Sequence, residues 1–144
     1  MPFAYILVPL AAVAIAQVSK FFIKKNRLSF SLKNLIAYSG MPSSHAAVTV
    51  SLATIIGLKL GFDSAGFAIA GLFCFLTLRD AMGIRQYIGK QGKVLNELVE
   101  DLNEDRYLDD RYPLLLEKVG HTPAQILVGS AIGLIVGALG YLAL

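Results

Sequence analysis

The stretch PAQILVGSAIGLIVGALGYLAL, residues 123–144, is the strongest indication of the fold of this chain, because it is apolar and contains no charged side chain. A helix of about 20 predominantly apolar residues is long enough to cross the hydrocarbon core of a bilayer. Similar apolar stretches occur earlier in the chain, and we expect membrane spans at about 3–19, 45–62, 64–82 and 123–144. The sequence therefore predicts an all-α fold, a polytopic membrane bundle with about four transmembrane helices.

The composition also indicates a membrane protein. Hydrophobic residues make up 56% of the chain and charged residues 16%, whereas soluble domains average about 45–50% and about 25%. A length of 144 residues suits one compact unit, so we expect a single integral membrane domain over residues 1–144. The net charge of +3 is too small to indicate a nucleic-acid partner, and membrane lipids are the expected partners.

The basic residues lie on one side of the predicted membrane. Four spans place both termini on one side of the bilayer and the loops 20–44 and 83–122 on the other. Every lysine and arginine except Lys59 lies in these loops or next to them. Because basic residues close to membrane spans favour the cytoplasmic side, we expect both loops to be cytoplasmic and both termini to be outside.

The second loop contains the pattern of an amphipathic helix. Apolar residues at 94, 95, 98, 99 and 102 have helical spacing, and polar or charged residues lie opposite them. This pattern predicts an interfacial helix on the membrane surface or against the bundle. The acidic residues within 100–110 could hold a metal ion, but they are more typical of a solvated surface, and we expect no metal site.

Glycines recur every four residues in two spans, as Gly57 and Gly61 and as Gly129, Gly133 and Gly137. Small residues at this spacing let helix backbones approach each other closely. We expect them to serve packing within the bundle, and the same helix surfaces could support a homo-oligomer.

Both histidines of the chain lie where a predicted span begins. His45 follows two serines, either of which can cap the N-terminus of the second span. His121 is followed by Thr122, a good capping residue, and by Pro123, which is well tolerated at the first helical position. The two histidines are therefore expected at helix N-termini on the same face of the membrane.

A pair of helix N-termini on one face predicts an anion site. Their unpaired N–H groups and positive dipole ends attract anions, phosphate in particular, and disfavour imidazolium. Of two histidines beside one phosphate, one could attack phosphorus while the other protonates the leaving oxygen. Lys20 and Arg27 lie on the same side and could hold the phosphate oxygens. Capping or membrane anchoring would explain each residue alone, but the convergence of all four favours the anion site.

The ordered set of motifs resembles the type 2 phosphatidic acid phosphatase and vanadium-dependent haloperoxidase superfamily. Lys20, followed after six residues by Arg27, is similar to its first motif. The stretch PSSH, residues 42–45, resembles its Pro-Ser-Gly-His second motif, and residues 121–129 are similar to the end of its third. The chain is more similar to a divergent branch of short bacterial and plant membrane proteins, which has a stretch like residues 80–85 followed by Gly89, Gln91, Leu95 and Asn96.

The resemblance implies a metal-independent phosphatase without a cofactor that works through a phosphohistidine. His121 would be the nucleophile and His45 the general acid. Phosphate would be bound by Lys20, Arg27, Ser43 and the backbone of Ser44. A site at the bilayer surface implies a lipid-linked phosphomonoester or pyrophosphate as substrate, and we expect an integral protein of a bacterial inner membrane.

Some positions depart from the superfamily pattern. Leu28 replaces the proline after the first-motif arginine, and Ser44 replaces glycine in the second motif. Leu115 occupies the position of the third-motif arginine, six residues before the histidine. Arg85 or Arg79 could supply the missing charge from elsewhere.

Gln125 occupies the position of the aspartate that would orient His121. An amide can accept a hydrogen bond from imidazole, but it cannot stabilise a developing positive charge as a carboxylate does. Asp80 could replace that carboxylate in space, or it could pair with Arg79 or Arg85. Gln125 therefore also favours a second hypothesis, a catalytically degenerate anionic-lipid-binding or scaffold protein of the same fold. A channel or transporter has less support, because the first and fourth spans contain no charge.

Overall fold

The computed structural model describes residues 3–23, 40–104, 114–117 and 119–144, with residues 103 and 104 described by their backbone only. These residues form helices and connecting segments without a β-strand. The helices are α1 (Ala4–Phe22), α2 (Ser44–Leu60), α3 (Ala65–Met82), α4 (Ile84–Glu104) and α5 (Pro123–Ala143). Three of them, α1, α3 and α5, are long and apolar enough to cross a membrane, and α2 is a shorter apolar helix. The predicted all-α membrane bundle is therefore confirmed.

Helix α2 lies at the centre of the bundle and packs against α1, α3 and α5, while α1 also contacts α5. Its buried side chains are mostly small, including Ala46 and Ala47, so its neighbours can come close. Its hydroxyl groups are satisfied within the helix, because Thr49 and Thr54 donate to the carbonyls four residues earlier. A polar group that bonds to its own helix avoids the cost of an unpaired donor in the membrane interior.

The glycines of α5 face α2 within the chain. A Cβ atom added to Gly133 would lie 2.6 Å from the carbonyl oxygen of Ala47, and one added to Gly137 would lie 2.7 Å from Cβ of Thr54. Gly129 faces the backbone of Ser43 in the same way. Close approach along this line brings the N-terminal ends of α2 and α5 together.

The predicted glycine pair in the second span is wrong as a helix-packing pair. Gly61 lies after the end of α2, with a φ of 94° that residues other than glycine rarely adopt. A Cβ atom on Gly57 would meet the ring of Phe62, which follows α2, and the ring of Phe67 in the first turn of α3, so of the pair only Gly57 lies at a contact between helices. Four-residue spacing alone does not distinguish a contact stripe from a helix terminus.

Helix α4 is longer than the amphipathic segment predicted over 94–102, because it begins at Ile84, directly after the turn at Gly83. The segment 83–122 is therefore not a loop throughout. The pattern of 94–102 continues toward the N-terminus through apolar residues at the same helical angles. The exposed apolar side chains of α4 are Ile84, Tyr87, Ile88, Val94, Leu95, Leu98 and Leu102.

Candidate active site

Four helix ends meet at one end of the bundle. Lys20 lies in the last turn of α1, and its side chain is only 1% exposed. The backbone N–H of Ser43, the N-cap of α2, donates to the carbonyl of Gln125 in α5 at 3.0 Å. The N–H of His121 donates to the carbonyl of Ala81, near the end of α3, at 2.9 Å. Residues from distant parts of the sequence therefore surround one small region.

The two histidines are neighbours in this region. Their ring centroids lie 5.7 Å apart, and the ring planes are tilted by 57°. His121 is almost fully buried, with 2% of its surface exposed, whereas His45 is half-buried. At this separation both rings can contact the same phosphoryl group.

The start of α5 determines the tautomer of His121. Thr122 and Gln125 form a capping box, in which the backbone N–H of Thr122 donates to Oε1 of Gln125 at 2.9 Å. Nδ1 of His121 lies 3.3 Å from the same oxygen. Since an oxygen can only accept, the proton of the neutral imidazole lies on Nδ1 and donates to Gln125. The lone pair therefore lies on Nε2.

His121 is neutral at physiological pH. Burial is the largest of the causes that together lower the pKa of its imidazole from 6.5 to about 4, and the hydrogen bond with Gln125 opposes them only in part. The positive charges of Lys20 and Arg85, and that of His45 when it is protonated, are the smaller causes of this lowering of the pKa. A neutral ring with a free lone pair is the form in which histidine acts as a nucleophile.

Two buried ring nitrogens of the described region, Nε2 of His121 and Nδ1 of His45, have no hydrogen-bond partner. An unsatisfied buried polar atom costs about 1–3 kcal/mol, so such atoms are uncommon unless a ligand or a reaction uses them. Because the two rings are neighbours, with centroids 5.7 Å apart, these unpaired nitrogens indicate a binding site at the ring pair.

The surrounding charges favour an anion in this site. Lys20 and Arg85 are both close enough to His121 to lower its pKa. Within the described residues, no group of three or more His, Cys, Asp or Glu side chains is placed to hold a metal ion. Two cationic side chains and the N-terminal ends of α2 and α5 attract negative charge.

Asp80 contacts Arg85 rather than His121. Its Oδ2 accepts a hydrogen bond from Nε of Arg85 at 2.6 Å, and both side chains are partly exposed. The structure places Gln125 at Nδ1 of His121, the position that a carboxylate would take in the superfamily pattern. Because the ion pair uses Nε of Arg85, the two terminal nitrogens of the guanidinium remain available to other acceptors.

The two serines have different positions. The hydroxyl oxygen of Ser43 accepts from the N–H of Ala46 as the N-cap of α2, so its own proton remains available to a ligand. Ser44 begins the helix, where backbone N–H groups have no partner within the helix. Arg27 lies outside the described residues.

Two features of the site escaped the sequence analysis. The side-chain amide of Gln86 donates to the carbonyl of His121 at 2.5 Å and helps to hold it. No short motif marks this contact, which spans 35 residues of the chain. The capping box had a visible signal, because a threonine followed three residues later by glutamine is the usual pattern of this motif.

Comparison with known proteins agrees with the divergent branch that the motifs predict. A model of the divergent PAP2 family matches residues 3–136. The chain is also 35% identical to the uncharacterized membrane protein YuiD of Bacillus subtilis (strain 168), over 90% of this chain and 89% of that protein. No solved structure matches the chain. The chain is an integral membrane protein that belongs to the divergent PAP2 family.

Proposed function

We propose that this protein is a membrane-embedded phosphatase that hydrolyses a lipid-linked phosphomonoester or pyrophosphate through a phosphohistidine intermediate. The observation that carries the proposal is the state of His121, whose buried Nε2 has a lone pair and no hydrogen-bond partner. Its neighbour His45 supplies a second imidazole within reach of the same phosphoryl group.

The proposed reaction has two steps. In the first, the Nε2 lone pair of His121 forms a bond to phosphorus while the bond from phosphorus to the leaving oxygen breaks, and His45, which is protonated when the phosphate anion is bound, gives that oxygen its proton and becomes neutral. In the second, His45 takes a proton from water, the resulting oxygen attacks phosphorus, and the N–P bond breaks. Inorganic phosphate leaves, and both histidines return to their starting states.

Phosphate binding is assigned to the groups that surround the two rings. Lys20 and the terminal nitrogens of Arg85 provide positive charge, and Ser43 and the backbone of Ser44 provide hydrogen-bond donors. In this proposal Arg85 takes the part of the missing third-motif arginine, because its charge acts on both histidines. Arg27 is expected to add a further contact.

The position of the site supports a lipid substrate. The site lies where four apolar helices end, so a phosphate group in it is at the level of the lipid headgroups. In the sequence, every basic residue except Lys59 lies in or next to the two segments that connect the helices at this end, and basic residues near membrane spans favour the cytoplasmic side. We therefore place the site at the cytoplasmic face of a bacterial inner membrane, with both termini outside.

The test is phosphate release from lipid phosphates by the purified protein in detergent or nanodiscs, with and without vanadate. Vanadate should inhibit, because it mimics a phosphoryl group with five ligands. His121→Ala should abolish turnover and the acid-labile phosphoenzyme, whereas Lys59→Ala, at the other end of the bundle, should leave both unchanged. Turnover by the His121→Ala variant would refute the mechanism.

A second candidate is a catalytically degenerate protein that binds anionic lipids. It is favoured by Gln125, because the phosphorylated ring keeps its Nδ1 proton and an amide compensates that positive charge poorly. In this case the wild-type protein binds phosphate without turnover. Gain of phosphatase activity in Gln125→Glu would then identify the missing carboxylate as the cause.

A further inference from the structure

The segment that leads to His121 lies along α4 in the opposite direction. We call residues 114–117 and 119–120 the strap. Along the helix, Asn96 contacts Leu115, Gly92 faces residues 115–116, and Gly89 faces residues 117 and 119. The strap then reaches the first turn of α4, where Gln86 contacts His121. The contact points on α4 are three or four residues apart, so they share one face of the helix.

Asn96 holds the far end of the strap. Its side-chain nitrogen donates to the carbonyl of Leu115 at 3.0 Å, and its oxygen accepts from the N–H of the same residue at 2.9 Å. The nitrogen also donates to Oε1 of Glu117 at 2.9 Å. One amide therefore binds both backbone groups of Leu115, as a neighbouring β-strand would. It lies ten residues from Gln86, which is about 15 Å along a helix.

Two glycines let the strap backbone lie directly on the helix. A Cβ atom on Gly89 would lie 2.5 Å from the carbonyl oxygen of Glu117, and one on Gly92 would lie 3.0 Å from that of Leu116. Both distances are too short for any other residue without displacement of the strap.

The apolar side chains of the strap contribute little to its position. Leu114 and Leu116 are 84% and 73% exposed. A segment with so few buried apolar contacts depends on its hydrogen bonds to stay in place. Near the site, Gly120 adopts a φ of 88° and lies against the backbone of Arg85 and Gln86, so the chain turns inward at His121.

We propose that Asn96 is a positioning residue, which holds the strap on α4 and thereby keeps the ring of His121 buried at the anion site. The proposal rests on the proposed function for its catalytic consequence only. Asn96 does not touch the substrate in this scheme. The resemblance predicts an arginine at the position of Leu115. The contact with Asn96 still holds Leu115 in place, because the backbone of Leu115, and not its side chain, makes the hydrogen bonds.

The experiment compares Asn96→Ala and Asn96→Asp with Gln91→Ala and Gln91→Glu in the purified full chain. Gln91 is an exposed amide on the same helix, so its variants control for the loss of an amide and for the added charge. The first readout is the titration of the His121 ring, followed by NMR in detergent micelles. The second is the kcat and KM for phosphate release.

We expect both Asn96 variants to raise the pKa of His121 toward the ordinary value of 6.5, since a released strap exposes the ring to water. We expect kcat to fall about 100-fold with KM nearly constant, because a displacement of a catalytic group by about 1 Å lowers the rate by about 100-fold. The Gln91 variants should match the wild type. The aspartate variant keeps the size of the side chain and decides the question if the alanine variant does not fold.

An unchanged titration of His121 in a folded Asn96 variant would overturn the proposal, whatever the activity. If the wild-type protein has no phosphatase activity, the proposed function fails. The titration still decides whether Asn96 positions the ring.

Discussion

Replacement of Gln125 by glutamate should change the protonation of His121 while it preserves the start of α5. Glutamate is accepted at this position of a capping box as readily as glutamine, so Thr122 keeps its partner. The new carboxylate would lie where the amide oxygen lies now, 3.3 Å from Nδ1 of His121. The substitution therefore adds a negative charge next to the ring with little change in shape.

The size of the effect follows from two opposing terms. In the wild type, a pKa of about 4 instead of 6.5 means that protonation of the folded ring is disfavoured by about 3 kcal/mol. Opposite charges at about 4 Å attract with about 4 kcal/mol where the effective dielectric constant is about 20. Desolvation of the carboxylate reduces that gain. The carboxylate should thus offset most of the penalty and raise the pKa of His121 toward its ordinary value.

The assay is an NMR titration of the histidine rings in detergent micelles, with His45→Asn used to assign the signals. The Gln125→Glu variant should also turn over lipid phosphates faster than the wild type, because a carboxylate stabilises the charged ring of the phosphohistidine. Gln125→Ala is the matched control, and it should lose the Nδ1–H tautomer without gaining a charge. A wild-type His121 that titrates near 6.5, or a glutamate variant that titrates like the wild type, would refute this account of the site.

Three further predictions address stability and membrane contact. Gly133→Ala should lower the free energy of unfolding by about 1–3 kcal/mol through overpacking. Gly71→Ala should leave it unchanged, because a Cβ atom there meets open space. Thermal unfolding in detergent measures both variants. As the pH falls from 6.5 to about 4, His121 takes up a proton in the unfolded chain before it does so in the folded chain. The free energy of unfolding should therefore fall by about 3 kcal/mol over this range. This part of the pH dependence should be absent in His121→Gln. Since the chain has no tryptophan, a single introduced tryptophan reports on its own surroundings. Brominated lipids should quench the fluorescence of Leu95→Trp, on the exposed apolar side of α4, more strongly than that of Glu97→Trp. Equal quenching would contradict an interfacial helix.

Much of the architecture could be predicted from the sequence because membrane helices form for local reasons. A bilayer satisfies no backbone N–H or C=O group, so an apolar stretch of sufficient length becomes a helix whatever surrounds it. The spans, a helix start at Ser43 or Ser44, another at Thr122 and the amphipathic character of α4 all follow from residues within a few positions of each other. The family resemblance rested on such local motifs in the right order.

Contacts between distant residues were decided only by the tertiary structure. Gly129, Gly133 and Gly137 predicted a close approach, but only the packed bundle shows that α2 is the helix they face. The local sequence was compatible with a contact of Asp80 with either Arg85 or His121, and in the folded chain Asp80 pairs with Arg85.

Local sequence therefore predicts which segments enter the membrane and which chemical groups lie at their ends. Tertiary structure decided which of these groups meet, because a contact such as that between His45 and His121 depends on the packing of whole helices. The contact of Gln125 with His121 is local instead, since its oxygen binds groups of residues 121 and 122 at the start of α5. The position of the strap along α4 follows from the tertiary structure, since its hydrogen bonds join residues 19 positions apart.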